Sequence, residues 1–289
     1  MLAILIVLLG LTALAAAWYW NTRPILVEIH AQIPDDFHEE GFSHAIFESL
    51  LRTYVDDQGQ VDYGAWHASN KDIRLLDGYL AAVAAYSPDS APERFASDND
   101  RLAYWMYAYN AFVIKAILDR WPIASVTDVK APVELVEGLG FFYTLRFVAG
   151  GEPYSLYAIE NDKVRKPSQD PRIHFVLNCA AGSCPILRPE LPDGDELEPF
   201  LEESERRFIA EERNVRIDHE AKTIVLSAIF KWYREDFVND LRRRGLPSHR
   251  GVLDYIIHAA TGELRAELER SRDYEIRFDD YDWSLNEAE

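Results

Sequence analysis

The sequence predicts an α+β domain, residues 37–289, behind an N-terminal transmembrane helix (1–22) and a linker (23–36). Three observations carry this expectation. Leu2 to Trp20 is almost continuously apolar, about the length that crosses a bilayer as a helix. Residues 98–121 read as one long, nearly all-apolar helix, the central element of a packed body. Helical and strand patterns then alternate to the end with no internal repeat and no convincing linker, so solenoids and propellers drop out.

The leading segment has its own markers. Trp18, Tyr19 and Trp20 fall where an interfacial aromatic belt lies, just ahead of Asn21, Thr22 and Arg23. Small-residue patterns at 13–15 and 15–17 leave a cleaved signal segment open, but no Lys or Arg precedes the apolar run. No basic cluster follows the span, so the body is expected outside the cytoplasm, as a membrane-anchored periplasmic domain.

The body can hold a sizeable core. The chain has 289 residues, 48% of them hydrophobic, with 14 Phe, 15 Tyr and 7 Trp. Its formal net charge of −19 repels phosphate backbones and anionic headgroups, which excludes nucleic acid as a partner.

The elements follow in order. An amphipathic helix is expected over 37–54, with Phe42, Ile46, Leu50 and Leu51 on one face. Val55 to Tyr63 reads as a hairpin turning at Gln58-Gly59. A helix starts near Asn70 and carries Leu75, Leu76, Tyr79, Leu80 and Val83. The central helix is capped by Asp98 or Asn99 and stopped by Pro122. Asn110 within it is a buried amide that must find partners, with Tyr107 and Tyr109 close by. Residues 125–137 read as short helix and loop, and 141–147 with 152–155 as a hairpin about Gly150-Gly151. Ser155 caps a helical turn to Lys166 that holds Glu160, Asn161 and Asp162. Ile173 to Leu177 is apolar throughout, as a strand buried on both faces would be. A helix over 195–212, two short strands (215–217 and 223–226), a helix from Ser227 to Arg244, two further helices and a strand over 274–278 complete the chain.

The best candidate for chemistry follows the apolar run. His174 lies near its start, and the only two cysteines, Cys179 and Cys184, bracket Ala-Ala-Gly-Ser. A thiol becomes a nucleophile as thiolate, which an imidazole nearby favours. His174 would act as base to Cys184, with Glu160, Asn161 or Asp162 orienting the ring. Backbone N–H groups of the Gly182-Ser183-Cys184 turn would face an oxyanion. Buried apolar cysteines, a Cys179–Cys184 disulfide and a pair cycling between the two redox states stay open as alternatives. No second close Cys or His pair completes a zinc spacing, so neither metal nor other cofactor is expected.

Four separated motifs now carry a resemblance: Leu102-Ala-Tyr-Trp-Met-Tyr-Ala-Tyr-Asn-Ala-Phe112, Pro171-Arg-Ile-His-Phe-Val-Leu-Asn-Cys-Ala-Ala-Gly-Ser-Cys-Pro185, Ile229-Phe-Lys-Trp-Tyr-Arg-Glu-Asp-Phe237 and Tyr281-Asp-Trp-Ser-Leu-Asn286. In this order they resemble the domain of unknown function 547 family over roughly residues 42–286. The resemblance implies a papain/transglutaminase-like fold, a central helix on a small, mostly antiparallel sheet with Cys and His brought together. It places His174, Cys179, Cys184 and Glu160 on the family's His, Cys and acidic positions. Asn161 stands where members commonly carry His, which leaves His174 as the nearby base.

The expectation is therefore a membrane-tethered, extracytoplasmic thiol-dependent hydrolase or acyltransferase acting on a peptide, amide or glutathione-like substrate. Cys184, His174 and Glu160 would be catalytic, and Asn110, Tyr109, Asn178, Cys179 and Ser183 would surround the substrate. The alternative is a non-catalytic binding or scaffold module with a structural or redox-active Cys179–Cys184 pair.

Overall fold

A computed structural model of the chain describes residues 10, 12, 14–16, 19, 23–35, 37, 40–131 and 138–288. The α-helices of five or more residues are α1 (Ala45–Tyr54), α2 (Tyr63–Ala68), α3 (Asn70–Ala85), α4 (Asp98–Leu118), α5 (Leu197–Ala210), α6 (Ala228–Trp232), α7 (Arg234–Arg243), α8 (Val252–Ala259) and α9 (Gly262–Arg270), and a largely π-helical stretch, Leu156–Ser168, lies between α4 and α5. Two mixed three-stranded sheets accompany them. In one, β1 (Ile25–Leu26) runs parallel to β2 (Leu145–Ala149), which pairs antiparallel with β3 (Glu152–Tyr154). In the other, β4 (Val215–Asp218) pairs antiparallel with β5 (Thr223–Leu226), and β5 parallel with β6 (Glu275–Phe278).

Helix α4 is the organising element, as its composition predicts. Its start is set by a reciprocal cap: the Ser97 hydroxyl accepts from Asp100 N at 3.1 Å, and the Asp100 carboxylate accepts from Ser97 N at 2.8 Å. The expected cap at Asp98 or Asn99 moves back to Ser97 because its hydroxyl leaves Asp100 free to complete the box. Every residue from Ala103 to Leu118 is buried, including Lys115. Its ammonium is taken out of water between Asp77 at 2.9 Å and Asp119 at 2.7 Å. Phe112 stacks on Phe147 of β2 with ring centroids 4.7 Å apart.

Two hydrophobic cores result. The larger gathers α1–α4, β2 and Leu197, Phe200 and Leu201 of α5. The smaller gathers the rest of α5 with β4, β5 and α6–α8. Between them runs the segment expected as the opening strand, and here the expectation is corrected. Pro171–Phe175 is a 3-10 helix. Pro171 fits its first turn, and the Asp170 carboxylate caps it by accepting from Arg172 N at 2.9 Å. Its apolar residues are buried all round because they serve two cores: Ile173, Val176 and Leu177 enter the larger one and Phe175 the smaller.

The remaining corrections are local, except one. Residues 141–144, the first part of the strand expected over 141–147, fall instead in a π-helical turn (Gly140–Thr144) that leads into β2, and the helix expected from Ser227 to Arg244 breaks at Tyr233. A papain/transglutaminase-like fold is not supported, since the elements form two small mixed sheets with a 3-10 turn where its central strand was expected.

The expected span from Leu2 to Trp20 lies largely outside the described residues. Among the described residues no helix is long and apolar enough to cross a membrane. The longest, the 21-residue α4, carries Asp98, Asp100, Arg101 and Lys115 and is buried against the rest of the protein. The expected transmembrane anchor, and the membrane-anchored periplasmic placement built on it, are corrected to this extent: no described helix supports them.

Candidate functional site

The loop 178–185 is held in shape from α4. The buried Asn110 donates through Nδ2 to Val176 O at 3.1 Å and accepts through Oδ1 from Asn178 N at 2.9 Å. Both faces of one amide are thereby matched to backbone, which fixes where the loop leaves the 3-10 turn. Asn178 then closes the loop on itself. Its Oδ1 accepts from Ala180 N at 2.7 Å, and its Nδ2 donates to Pro185 O at 2.8 Å. Ala180 takes a left-handed φ of 64°, the tight turn that this closure requires.

The loop brings its two cysteines together. Both are free thiols, with Sγ atoms 2.9 Å apart. Cys179 N donates to Cys184 Sγ at 3.1 Å, and the Tyr281 hydroxyl lies 3.2 Å from Cys184 Sγ and 3.4 Å from Cys179 Sγ. Burial pushes the Cys184 thiol up, but hydrogen bonds from Cys179, Tyr281 and nearby backbone outweigh it and hold Cys184 at about 7. Cys179 moves the other way, well above its ordinary range, because its proton is held against the Cys184 sulfur and burial adds to the effect. Of the two, Cys184 is the thiol that ionises more readily.

A C-terminal strap covers the loop. Gly182 N donates to Ser284 O at 2.7 Å, Ser183 N to Asp282 O at 3.2 Å and Asn286 N to Ala180 O at 3.0 Å. The Ser183 hydroxyl accepts from Asp282 N at 2.9 Å. Cys184 N donates to Ala181 O at 2.9 Å. The N–H groups expected to face an oxyanion are thus committed to the strap and to the loop itself. Ser183 is a clamp for the segment that delivers Tyr281.

His174 has a different setting. It is 3% exposed, and its Nε2 lies 2.8 Å from Asp236 Oδ2 on α7. Its ring stacks on Tyr233 at 3.7 Å. Burial lowers its pKa, opposed by the hydrogen bond to Asp236 and the charges of Glu160 and Asp236, so the ring is neutral at pH 7. Burial alone would raise Asp236, but hydrogen bonds from His174 and Arg165 hold it at about 2. Arg165 grips that carboxylate with Nε at 2.9 Å and Nη2 at 3.2 Å. Glu160, expected to orient His174, instead accepts a 2.6 Å hydrogen bond from the Tyr233 hydroxyl. Asn161 donates to Tyr157 O at 2.9 Å and receives the Arg165 guanidinium.

Both cysteines, His174, Glu160, Asn161, Arg165 and Tyr109 border one cavity of about 520 Å³ that is walled by aromatic rings, with Asp236 behind the lining. Asn110, Asn178 and Ser183 stand behind its loop. The papain-like hydrolase reading finds no support, and no hydrogen bond joins Cys184, His174 and Glu160 to one another. The hydrogen-bond partners of the sulfurs are each other, Tyr281 and backbone, whereas His174 is bonded to Asp236 and covered by Tyr233. Sequence reasoning missed Tyr233, Asp236 and Tyr281 as site residues. The signal was present, since the first two lie in the 229–237 motif and the third opens the 281–286 motif.

Among the described residues no group of three or more His, Cys, Asp or Glu side chains is arranged to hold a metal ion. Residues 93–209 match the family model described as "Protein of unknown function, DUF547". The match supports that family over α4, the π-helical turn, the cysteine loop and most of α5, and it stops short of Tyr233, Asp236 and Tyr281. No curated protein and no solved structure matches the chain.

Proposed function

We propose that the chain is a dithiol oxidoreductase that exchanges with small disulfides through Cys179 and Cys184. The observation that carries this reading is the pair itself: two free sulfurs 2.9 Å apart, bordering a cavity. Exchange needs a thiolate at neutral pH and a second thiol within reach to resolve the mixed disulfide. Cys184 meets the first need and Cys179 the second.

The steps balance as follows. The Cys184 thiolate attacks one sulfur of R–S–S–R′, forming a Cys184–SR bond and releasing R′S⁻, which takes a proton. Cys179 loses its proton as it attacks Cys184 Sγ, forming the Cys179–Cys184 bond and releasing RS⁻. The substrate gains two electrons and the protein loses two. An external dithiol restores the pair by the reverse exchange. Tyr281 donates to whichever sulfur carries charge, and His174, Tyr233 and Glu160 form the opposite wall with Asp236 holding His174 from behind.

The test is a redox titration of the purified protein in mixtures of reduced and oxidised dithiothreitol. Free thiols are alkylated at each point and the peptide spanning 173–188 is weighed. We expect one reversible two-electron transition with a deficit of two hydrogens, and dithiol-driven reduction of hydroxyethyl disulfide that Cys184→Ser abolishes. A pair that never oxidises, or a disulfide that excess dithiol leaves intact, would overturn the reading. The second outcome would assign the pair a structural role.

A further inference from the structure

Ile25 and Leu26 of β1 are exposed; from residue 40 onward the exposed large hydrophobic side chains among the described residues are four, Leu75, Tyr143 (42%), Tyr157 (45%) and Trp232 (48%). Three of the four line the cavity in front of the cysteines. Tyr143 and Tyr157 stack at 4.4 Å on one side. Trp232 packs on Tyr281 at 4.7 Å and on Trp283 at 6.0 Å on the other. Exposed aromatic area concentrated at a single concavity marks a binding site, because each ring stays wet at a cost that scattered placement would not explain.

The charge of this cavity has a sign. Glu160, Arg165, His174 and the two cysteines line it, and Asp236 stands behind the lining, paired with Arg165 and His174. Arg165 is neutralised by Asp236, and His174 is uncharged at pH 7. Glu160 is bonded to a hydroxyl and forms no ion pair with a cation. One guanidinium thus stands against two carboxylates, and the Cys184 thiolate adds a further negative charge. The chain as a whole carries −19. A carboxylate among aromatic faces is the environment that attracts an ammonium group, through ring quadrupoles and charge together.

We infer that this cavity selects disulfides whose arms carry a cationic nitrogen. The inference rests on the dithiol reading and names the substrate class for it. Glu160 and the rings of Tyr143, Tyr157 and Trp232 take the ammonium arm, while the disulfide lies against Cys184. Anionic disulfides are rejected by Glu160, by the thiolate and by the field of the whole molecule.

The experiment compares three short disulfides of similar length: cystamine (cationic), hydroxyethyl disulfide (neutral) and dithiodiglycolate (anionic). The kcat/KM for each is divided by its rate constant with free dithiothreitol, which removes intrinsic differences in leaving-group acidity. We expect a normalised preference for cystamine of about tenfold over the neutral compound, and a larger one over the anion. In Glu160→Gln the cationic-to-anionic ratio falls by about tenfold, read as a ratio within one variant. A redox-free arm separates the two readings: benzyltrimethylammonium, which has no disulfide, should slow alkylation of Cys184 by iodoacetamide in the wild-type protein. Equal normalised rates, or a cation that gives no protection, would overturn the inference while leaving disulfide exchange standing. Protection by the cation without any disulfide turnover would overturn the dithiol reading and keep the cation site.

Discussion

At the scale of single residues, Cys184 decides what the site can do. A buried thiol in apolar surroundings is ordinarily inert, because desolvation opposes the thiolate. Cys184 escapes this because Cys179 and Tyr281 both face its sulfur. Its alkylation by iodoacetamide should therefore rise with pH to a plateau with a midpoint near 7, the value to which its thiol is held. In Cys179→Ala one of those donors is gone and burial remains, so the midpoint moves up toward the ordinary thiol range. A midpoint unchanged in the variant would mean that Cys179 does not hold the charge. The sequence made the pair visible, since no other cysteine competes with it. It hid the partner of His174, because Asp236 lies 62 residues further on and only the packing of α7 against the 3-10 turn brings it to 2.8 Å.

At the scale of elements, α4 both fills the larger core and aims the cysteine loop. Asn110→Ala would leave Val176 C=O and Asn178 N–H buried without their partner. The expected loss is about 2–4 kcal/mol, seen as a lower urea midpoint at unchanged slope. Loss of the alignment should also slow Cys184 alkylation at pH 7 in the folded variant. A loss under about 0.5 kcal/mol would show that the loop is held without this amide. The helix and its buried amide were legible from composition. The 3-10 turn was not, because an unbroken apolar run reads the same whether a strand is covered on both faces or a tight turn joins two cores. Gly59 illustrates a signal read correctly but too locally. It turns the chain with φ of 74°, yet a Cβ there would also meet Ile186 Cγ2 at 2.6 Å and Leu187 N at 2.7 Å. The same glycine thus lets the first turn of the body press against the chain just beyond Cys184.

At the scale of the whole molecule, buried histidine sets the response to acid. His44 is 5% exposed, hydrogen-bonded to the Tyr79 hydroxyl at 2.9 Å and packed on Phe42 and Tyr107. Burial lowers its pKa to about 3, with the Asp100 charge a smaller opposing effect. The unfolded imidazole takes a proton near 6.5 and the folded one only near 3, so between those values the unfolded state binds more protons. Its contribution is complete above pH 6.5 and is lost progressively as pH falls toward 3, about 5 kcal/mol in all. His174, also lowered by burial, adds to the loss in the same direction. Urea denaturation of wild type and His44→Gln at pH 7 and pH 4 checks this. The wild type should lose more stability between the two pH values, and equal losses would refute the assignment.

The strap carries a consequence for when the site comes into being. Tyr281 supplies the hydroxyl between the sulfurs, and Asn286 ties the same segment to Gly59 O at 3.1 Å and the Tyr63 hydroxyl at 2.9 Å. Residues near the start of the folded body and residues at its end therefore grip the cysteine loop from both sides. A nascent chain that has just emerged past Cys184 owns both sulfurs but neither the clamp nor the tyrosine. During synthesis the thiols pass through an interval in which they lack the neighbours that set their chemistry. Reactivity is thus acquired only once residues 281–286 have been made and have folded over the loop.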